Sequence, residues 1–299
     1  MSSSGVKRLR ELLADGHKIV VCPGVYDGLT ARIALKSGFD ALYMTGAGTT
    51  ASRLGQADLG VITLNEMREN AGMIANLDRF TPVIADADTG FGGSLMVHRT
   101  VTEYIRAGVA ALHLEDQALT KRCGHLRNKQ LVGEDEYLSR IKAAVNAREA
   151  SGGDIVIIAR TDALASLGYD QSISRLRRAI QLGADVAFLE GVRSPEEARQ
   201  VCQDLHPTPV LFNAVPGGVS PSFSAAEAQE LGFRLIIFPG LAMSSVVKAV
   251  TEATEYLKNT GSQLSSDGAG PKELFQVVGL NEALAIDAAS GSGLFQDGV

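Results

Sequence analysis

The sequence predicts an α/β fold of the (β/α)8, TIM-barrel type, and three observations predict it. Eight short apolar runs rich in β-branched residues recur along the chain, and each is followed by a polar or glycine turn and a stretch of helical periodicity. Most of the helical stretches end at glycine just ahead of the next run, as helix C-termini do. The eight units together span about 240 residues, the usual size of a closed eight-stranded barrel. An open doubly wound sheet is the alternative that the same alternation allows.

In chain order, MSSSGVKRLRELL carries basic residues but no apolar core of a secretory signal, so it reads as a short lead into a helix. The apolar runs are HKIVVCPG (17–24), ALYMTG (41–46), PVIADAD (82–88), AALHLED (110–116), DIVIIART (154–161), VAFLEG (186–191), PVLFNAV (209–215) and FRLIIFPG (233–240). Between them lie GLTARIALKSG, NEMRENAGMIANL, MVHRTVTEYIRAG, DEYLSRIKAAVNAREA, SISRLRRAIQLGA, SPEEARQVCQDL and SAAEAQELG. Strict alternation means parallel strands joined by right-handed crossovers, with helices covering the outside. The barrel accounts for residues 17–260 of a single 299-residue domain. Beyond it come a polar linker (262–271), the apolar helix-like KELFQVVGLNEALAIDAA and a glycine-rich tail. A barrel needs only one helix after its last strand, so that extra segment packs either on a neighbouring subunit or on its own barrel.

Composition narrows the function. A formal charge of −6, no long basic run and no Trp argue against a nucleic-acid binder. No apolar segment approaches the roughly 20 residues that span a bilayer. Three cysteines in so long a chain do not make a disulfide framework and point to a reducing, cytoplasmic setting. Cys22 and Cys202 lie in core-like patterns, whereas Cys123 sits in the polar TKRCGHLRN.

Active sites of such barrels form where the strands end, and here those ends are strongly polar. They carry Tyr43, Thr45 and Gly46; Asp86 and Asp88; His113, Glu115 and Asp116; Arg160 and Asp162; Glu190; and Asn213. Two aspartates commonly form an exposed acidic turn. Asp86 and Asp88 instead end a buried-looking strand with no Lys or Arg within several positions, which favours a cation. Oxygen donors alone suit Mg²⁺ or Mn²⁺ better than Zn²⁺. Glu115 and Asp116 either support that metal through water or pair with a basic residue. Arg160 suits a substrate carboxylate, whose geometry its planar fork matches, or else it is a structural partner of Glu190. Cys123, flanked by Lys121, Arg122, Gly124 and His125, reads as a proton-transferring thiol on a mobile lid, its pKa lowered by the positive charge. Gly46-Ala47-Gly48-Thr49-Thr50-Ala51 matches a dinucleotide fingerprint. A helix-like NEMREN stands where the ribose-binding acid should end a strand, so the glycines read as backbone donors for a small anion.

PGVYDGLTARIA, ALYMTGAGTTAS, GQADLG, VIADADTGFGG, LHLEDQ, KRCGH, IIARTDA and FLEG together resemble the isocitrate lyase and phosphoenolpyruvate mutase superfamily over essentially the whole chain. KRCGH is the most specific piece. It is similar to the K-[KR]-C-G-H signature of the carbon–carbon lyases and hydrolases, which the phosphonomutase branch lacks. The resemblance implies a (β/α)8 barrel with a C-terminal helix exchanged between paired subunits, in a homotetramer built as a dimer of dimers. It implies Mg²⁺ on Asp86 and Asp88, partly through water, with Asp58 and Glu115 in the outer shell. A small dicarboxylate would lie on the metal against Tyr43, Thr45, Gly46, Ala47 and Arg160. Cys123 would protonate the departing carbanion, with Gly124, His125, Glu190 and Asn213 around the leaving acid.

Within the family, KRCGH and the TGAGT loop look most like lyases of 2-alkylmalates such as 2,3-dimethylmalate, giving pyruvate and a carboxylic acid. A close alternative cleaves oxaloacetate to oxalate and acetate; in that branch a Ser stands where this chain has Pro239, which favours the lyase. Thr45 and Ala47 depart from the Ser-Gly-Gly of methylisocitrate lyases, a third reading. A barrel that binds an acid without turning it over, or a phosphonate-forming mutase, sits poorly with Asp86, Asp88 and Cys123 together.

Overall fold

The computed structural model describes residues 4–264 and 270–295. Helix α1 (Gly5–Asp15) leads into strand β1 (Val20–Val25) and helix α2 (Gly28–Lys36). Strand β2 (Leu42–Met44) is followed by two helices, α3 (Gly46–Leu54) and α4 (Leu64–Ala75), before β3 (Val83–Asp86). Next come α5 (Ser94–Ala107), β4 (Ala111–Leu114), α6 (Glu134–Ala150) and β5 (Val156–Thr161). A single turn, α7 (Leu164–Leu167), precedes α8 (Tyr169–Gln181), β6 (Val186–Leu189), α9 (Pro195–Leu205) and β7 (Val210–Asn213). The barrel ends with α10 (Ala225–Leu231), β8 (Leu235–Phe238) and α11 (Leu241–Thr260). Helices α12 (Pro271–Val277) and α13 (Leu280–Ala289) follow.

All eight strands are parallel, each pairs with its sequence neighbours, and β8 returns to β1 with Val20 opposite Leu235 and Pro23 opposite Phe238. The closed barrel therefore replaces the open sheet as the outcome of the alternation. Inward-facing residues fill its middle: Val20, Cys22, Ile84, Val156, Ile158, Phe188, Leu211 and Ile237 pack as one buried cluster. Leu9 of α1 joins that cluster, so the lead helix closes the end of the barrel opposite the polar mouth. A second layer, with Met67, Ile74, Val101, Tyr104, Ile141, Leu176 and Val201, joins the strands to the surrounding helices.

The helix ends follow the sequence signals. Asp27 caps α2 by accepting the Thr30 N–H at 2.7 Å, and Ser224 with Glu227 forms a reciprocal capping box on α10. Gly108 and Gly232 end α5 and α10 at φ +86° and +111°, a region that side chains with a Cβ avoid.

Two sequence expectations change. The GAGTTAS stretch is not a loop but helix α3, because Thr45 caps it by accepting the Gly48 N–H. The apolar C-terminal segment is two helices that break at Gly279, which sits at φ +95°. The polar linker falls partly outside the described residues, as does the end of the tail. No residue of α11, α12 or α13 is buried. Among the described residues no helix is long and apolar enough to cross a membrane.

Candidate active site

The strand ends and one long loop converge on a cavity of about 110 Å³ at the barrel mouth. Twelve of the sequence-predicted residues line it: Tyr43, Thr45, Ala47, Asp58, Asp86, Cys123, Gly124, His125, Arg160, Glu190, Asn213 and Pro239. Gly46, Asp88 and Glu115 do not. Gly46 donates its N–H to Asp86 Oδ2 at 3.2 Å, and a Cβ there would lie 2.5 Å from that oxygen. The glycine thus lets α3 start directly on the carboxylate, and its N–H serves Asp86 rather than a bound anion. Asp88 opens instead on an adjoining cavity of about 330 Å³ lined also by Thr63, Asn65, Arg99 and Lys121. Glu115 is fully buried beneath Arg160.

Asp86 is the last residue of β3, and its Oδ1 accepts the Asp88 N–H at 2.9 Å. Asp88 follows at φ +47°, a left-handed conformation that Asp tolerates better than most residues. The expectation that no basic side chain neutralises the pair is overturned. Lys121 reaches in from the β4–α6 loop to lie 2.6 Å from Asp88 Oδ1 and 2.8 Å from Asp58 Oδ1. Chain separation hid it, since the loop folds back across the mouth. Burial pushes the Asp88 carboxyl up and Lys121 pulls it down, but Asp86 and Asp58 repel its charge, leaving it at about 7. Burial also pushes Asp86 up, yet His113, Lys121 and Arg160 outweigh it and hold that carboxyl below the usual range.

Arg160 is not an open clamp. Its Nε and Nη2 donate to Asp162 at 2.9 and 3.1 Å, its Nη1 lies 3.1 Å from Glu115, and its Nη2 lies 3.5 Å from Glu190. The guanidinium also covers the Phe188 ring at 5.1 Å. A substrate carboxylate must share it with residents. Burial raises the Asp162 carboxyl, but Arg160 and Lys129 overcome this and hold it at about 2. The folded value lies below the unfolded one, so this pairing stabilises above the ordinary Asp range near pH 4 and is lost as pH falls toward 2. The expected contribution is about 2 kcal/mol. Urea denaturation of wild type and Asp162→Asn should therefore differ most near neutral pH and converge toward pH 2; a constant difference would show that folding does not lower the Asp162 pKa.

The β4–α6 loop is held shut at several points. Cys123 N–H donates to the Asp58 carbonyl at 3.1 Å. His125 Nδ1 accepts the Val219 N–H, while its Nε2 lies 3.3 Å from Asn213 Nδ2 and 3.5 Å from Glu190. A Cβ at Gly124 would meet Arg160 Nη2 at 2.5 Å, so only glycine lets the loop come this close. Lys129 donates to the Gly124 carbonyl at 2.6 Å and to Asp162 at 2.7 Å, tying the loop to the partner of Arg160. Losing a charge-assisted bond of about 1.5 kcal/mol should speed amide hydrogen exchange across 121–129 about tenfold in Lys129→Met. Unchanged exchange would remove Lys129 as a latch.

The thiol expectation is corrected as well. Burial raises the Cys123 pKa, Asp58 and Glu190 raise it further, and the His125 backbone N–H and Arg160 do not compensate. The side chain is thus held as a protonated thiol rather than as an activated thiolate. Cys22 is buried as expected, and Cys202 is partly buried with its thiol pushed up to about 12.

Sequence reasoning missed Lys121 and Lys129 as structural cations, and it missed Val215, Gly240 and Met243, which complete the cavity wall. It noted His113 only as a polar strand end; its Nε2 lies 2.9 Å from Tyr43 Oη and 3.5 Å from Asp86 Oδ1. A fixed spacing around KRCGH was the only signal available for the lysines, and none existed for the apolar wall.

Comparison with known proteins adds to this geometry. The phosphoenolpyruvate phosphomutase family profile matches residues 9–258. A 2,3-dimethylmalate lyase from Eubacterium barkeri is 42% identical over 252 residues, covering 84% of this chain and 86% of its own. A crystal structure of a 2,3-dimethylmalate lyase superposes with a TM-score of 0.97 at 56% identity, covering 99% of this chain and 98% of that one. An oxaloacetate acetylhydrolase bound to 3,3-difluorooxalacetate superposes with a TM-score of 0.96 at 52% identity, covering 98% of this chain and 99% of that one.

Proposed function

The chain belongs to the isocitrate lyase and phosphoenolpyruvate mutase superfamily, and from that premise we propose that it cleaves the C2–C3 bond of a 2-alkylmalate, converting 2,3-dimethylmalate to pyruvate and propionate. One observation carries the reading. The cavity joins a carboxylate cluster and a protonated Cys123 to an apolar wall of Val215, Pro239 and Met243, which suits alkyl groups on the carbons either side of the bond. Pro239 offers no hydroxyl there, which favours the lyase over hydrolysis of oxaloacetate.

The residues fit a divalent cation. Asp58, Asp86, Asp88, Glu115, Asp162 and Glu190 outnumber Lys121, Lys129 and Arg160 around the mouth. Asp88 Oδ1 and Glu115 Oε2 are buried without a hydrogen-bond donor in good geometry and rely on ion pairs alone. Among the described residues no three His, Cys, Asp or Glu side chains converge to wrap an ion directly, so Asp86 and Asp88, with Asp58 and Glu115, would hold Mg²⁺ through water. When bound, it supplies Lewis-acid stabilisation of charge at the C2 oxygen and keto acid.

The chain's own groups do the rest. Arg160, with Thr45 and Ala47 beside it in the cavity wall, orients the C1 end. The hydroxyl proton leaves to Tyr43 or to a carboxylate of the cluster, the C2–C3 electron pair passes to C3, and Cys123 protonates C3. Glu190, Asn213 and His125 hold the departing acid, and the closed loop excludes water. With Mg²⁺ present, pyruvate should be released from 2,3-dimethylmalate. Oxalate released from oxaloacetate instead would move the chain to the hydrolase reading, 2-methylisocitrate cleavage to the third, and no turnover of any of them would sink all three.

The same reading extends to assembly as a homotetramer with exchanged C-terminal helices. Its support is the apolar exposure of Val247, Val250, Leu257, Leu274, Phe275 and Ile286 on α11–α13, beside an apolar cavity of about 250 Å³ between α2 and α11. Such surface on one chain is uncommon unless another covers it. Sedimentation should give a tetramer for the full chain and a smaller species after truncation at 261; a monomeric full chain would refute it.

A further inference from the structure

We infer that His113 is a positioning residue that fixes the polarity of the Tyr43 hydrogen bond, so that the Tyr43 hydroxyl donates into the cavity. The inference rests on the lyase reading only for the identity of the oxygen that receives this hydrogen bond.

His113 is fully buried, and its ring meets Tyr43 from β2, Asp86 from β3 and the Phe188 ring of β6, edge-on at 5.7 Å, with Arg160, Lys121 and Glu190 the other charges that act on it. Its two ring nitrogens differ sharply. Nε2 lies 2.9 Å from Tyr43 Oη and 3.5 Å from Asp86 Oδ1, whereas Nδ1 has no hydrogen-bond partner among the described residues. A neutral imidazole carries one proton, on one nitrogen or the other.

Placing it on Nδ1 would bury a donor with nothing to receive it and turn the bare Nε2 lone pair toward the Asp86 carboxylate. Both features are unfavourable, the first by the desolvation cost of an unmade hydrogen bond. Placing it on Nε2 aims the N–H at two oxygens and leaves only a weak acceptor unmet. The Nε2–H tautomer is therefore the one the site selects, and Nε2–H donates to Tyr43 Oη.

The consequence falls on Tyr43. With its oxygen already accepting from His113, its own proton points elsewhere, and the residue lines the cavity. Tyr43 thereby steadies the oxygen charge that forms as the substrate hydroxyl loses its proton.

A double-mutant cycle on binding tests this without requiring turnover. The probe is oxalate with Mg²⁺, a planar dianion resembling the carboxylate–carbonyl end of a keto acid, titrated calorimetrically. Tyr43→Phe should weaken oxalate about tenfold, the size of one hydrogen bond to a charged group. His113→Phe should do the same in the Tyr43 background and change affinity less than twofold in the Tyr43→Phe background. His113→Gln, whose amide N–H reaches the same place, should recover most of the loss, whereas the shorter His113→Asn should not; that pair decides the matter if His113→Phe does not fold. An equal loss from His113→Phe in both backgrounds would mean that His113 acts through Asp86 or through packing, and would overturn the inference. Oxalate affinity untouched by Tyr43→Phe would also overturn it. Failure of every substrate to turn over, with the cycle intact, would count against the lyase reading alone.

Discussion

Cys123→Ser should lower kcat by about 10²- to 10⁴-fold, the range of a positioned acid, while oxalate affinity stays within twofold. The environment of the Cys123 thiol is the reason. Burial and the nearby carboxylates Asp58 and Glu190 keep it protonated, and its backbone N–H is anchored to the Asp58 carbonyl, so the acid is loaded and fixed before substrate arrives. A serine hydroxyl fills the same place but is a far weaker acid, and the carbanion formed at C3 must then wait for another proton. The thiol pKa is raised, so the donor form persists through neutral pH and the loss of turnover that Cys123 sets should lie on the alkaline side, as the proton is lost. Steady-state kinetics beside oxalate titration separates the two parameters. An unchanged kcat would remove Cys123 from proton transfer, and a parallel loss of oxalate affinity would assign it to loop closure instead.

The barrel was legible because its signals are local and repeated. Strands such as DIVIIART are buried on both faces and read as unbroken apolar runs, and glycine after most helices marks where the next strand approaches. The mouth was legible for the same reason: a residue at the end of a recognisable strand has only one place to go, and Tyr43, Asp86, Arg160, Glu190 and Asn213 all went there. What could not be read is what depends on the path of a loop. Lys121 and Lys129 lie in a basic stretch that sequence alone reads as a field around Cys123. In the folded chain each lysine is consumed by carboxylates on the connections after other strands, so the thiol sees burial rather than positive charge and its shift reverses sign. Arg160 likewise looked free because Asp162 and Glu115, which hold it, are spaced along the chain in ways that many unpaired residues share.

Arg160→Met should cost about 3–5 kcal/mol of stability, the usual penalty for removing one partner of a buried ion pair, and that penalty should depend on pH. Arg160 stands among Asp162, Glu115 and Glu190, all at most 2% exposed. Without it Asp162 keeps Lys129 and Glu190 keeps Asn213, but Glu115 keeps one hydrogen bond, from the Gln117 side-chain amide at 2.9 Å, and the lesser pull of Lys121. Burial already raises the Glu115 carboxyl well above its ordinary value, against the pull of Arg160 and Lys121. Removing the guanidinium raises it further, so the folded variant takes up a proton that the unfolded chain releases near neutral pH. A folded pKa above the unfolded one stabilises below the unfolded value and is lost as pH rises through the folded value. Urea denaturation should therefore show the deficit of Arg160→Met shrinking from pH 8 to pH 5. Adding Glu115→Gln should restore part of the stability at pH 8 and little at pH 5, because the charge it deletes is already neutralised there. A deficit that is flat with pH and indifferent to Glu115→Gln would mean that Arg160 matters through its packing on Phe188 rather than as the counter-charge of the site.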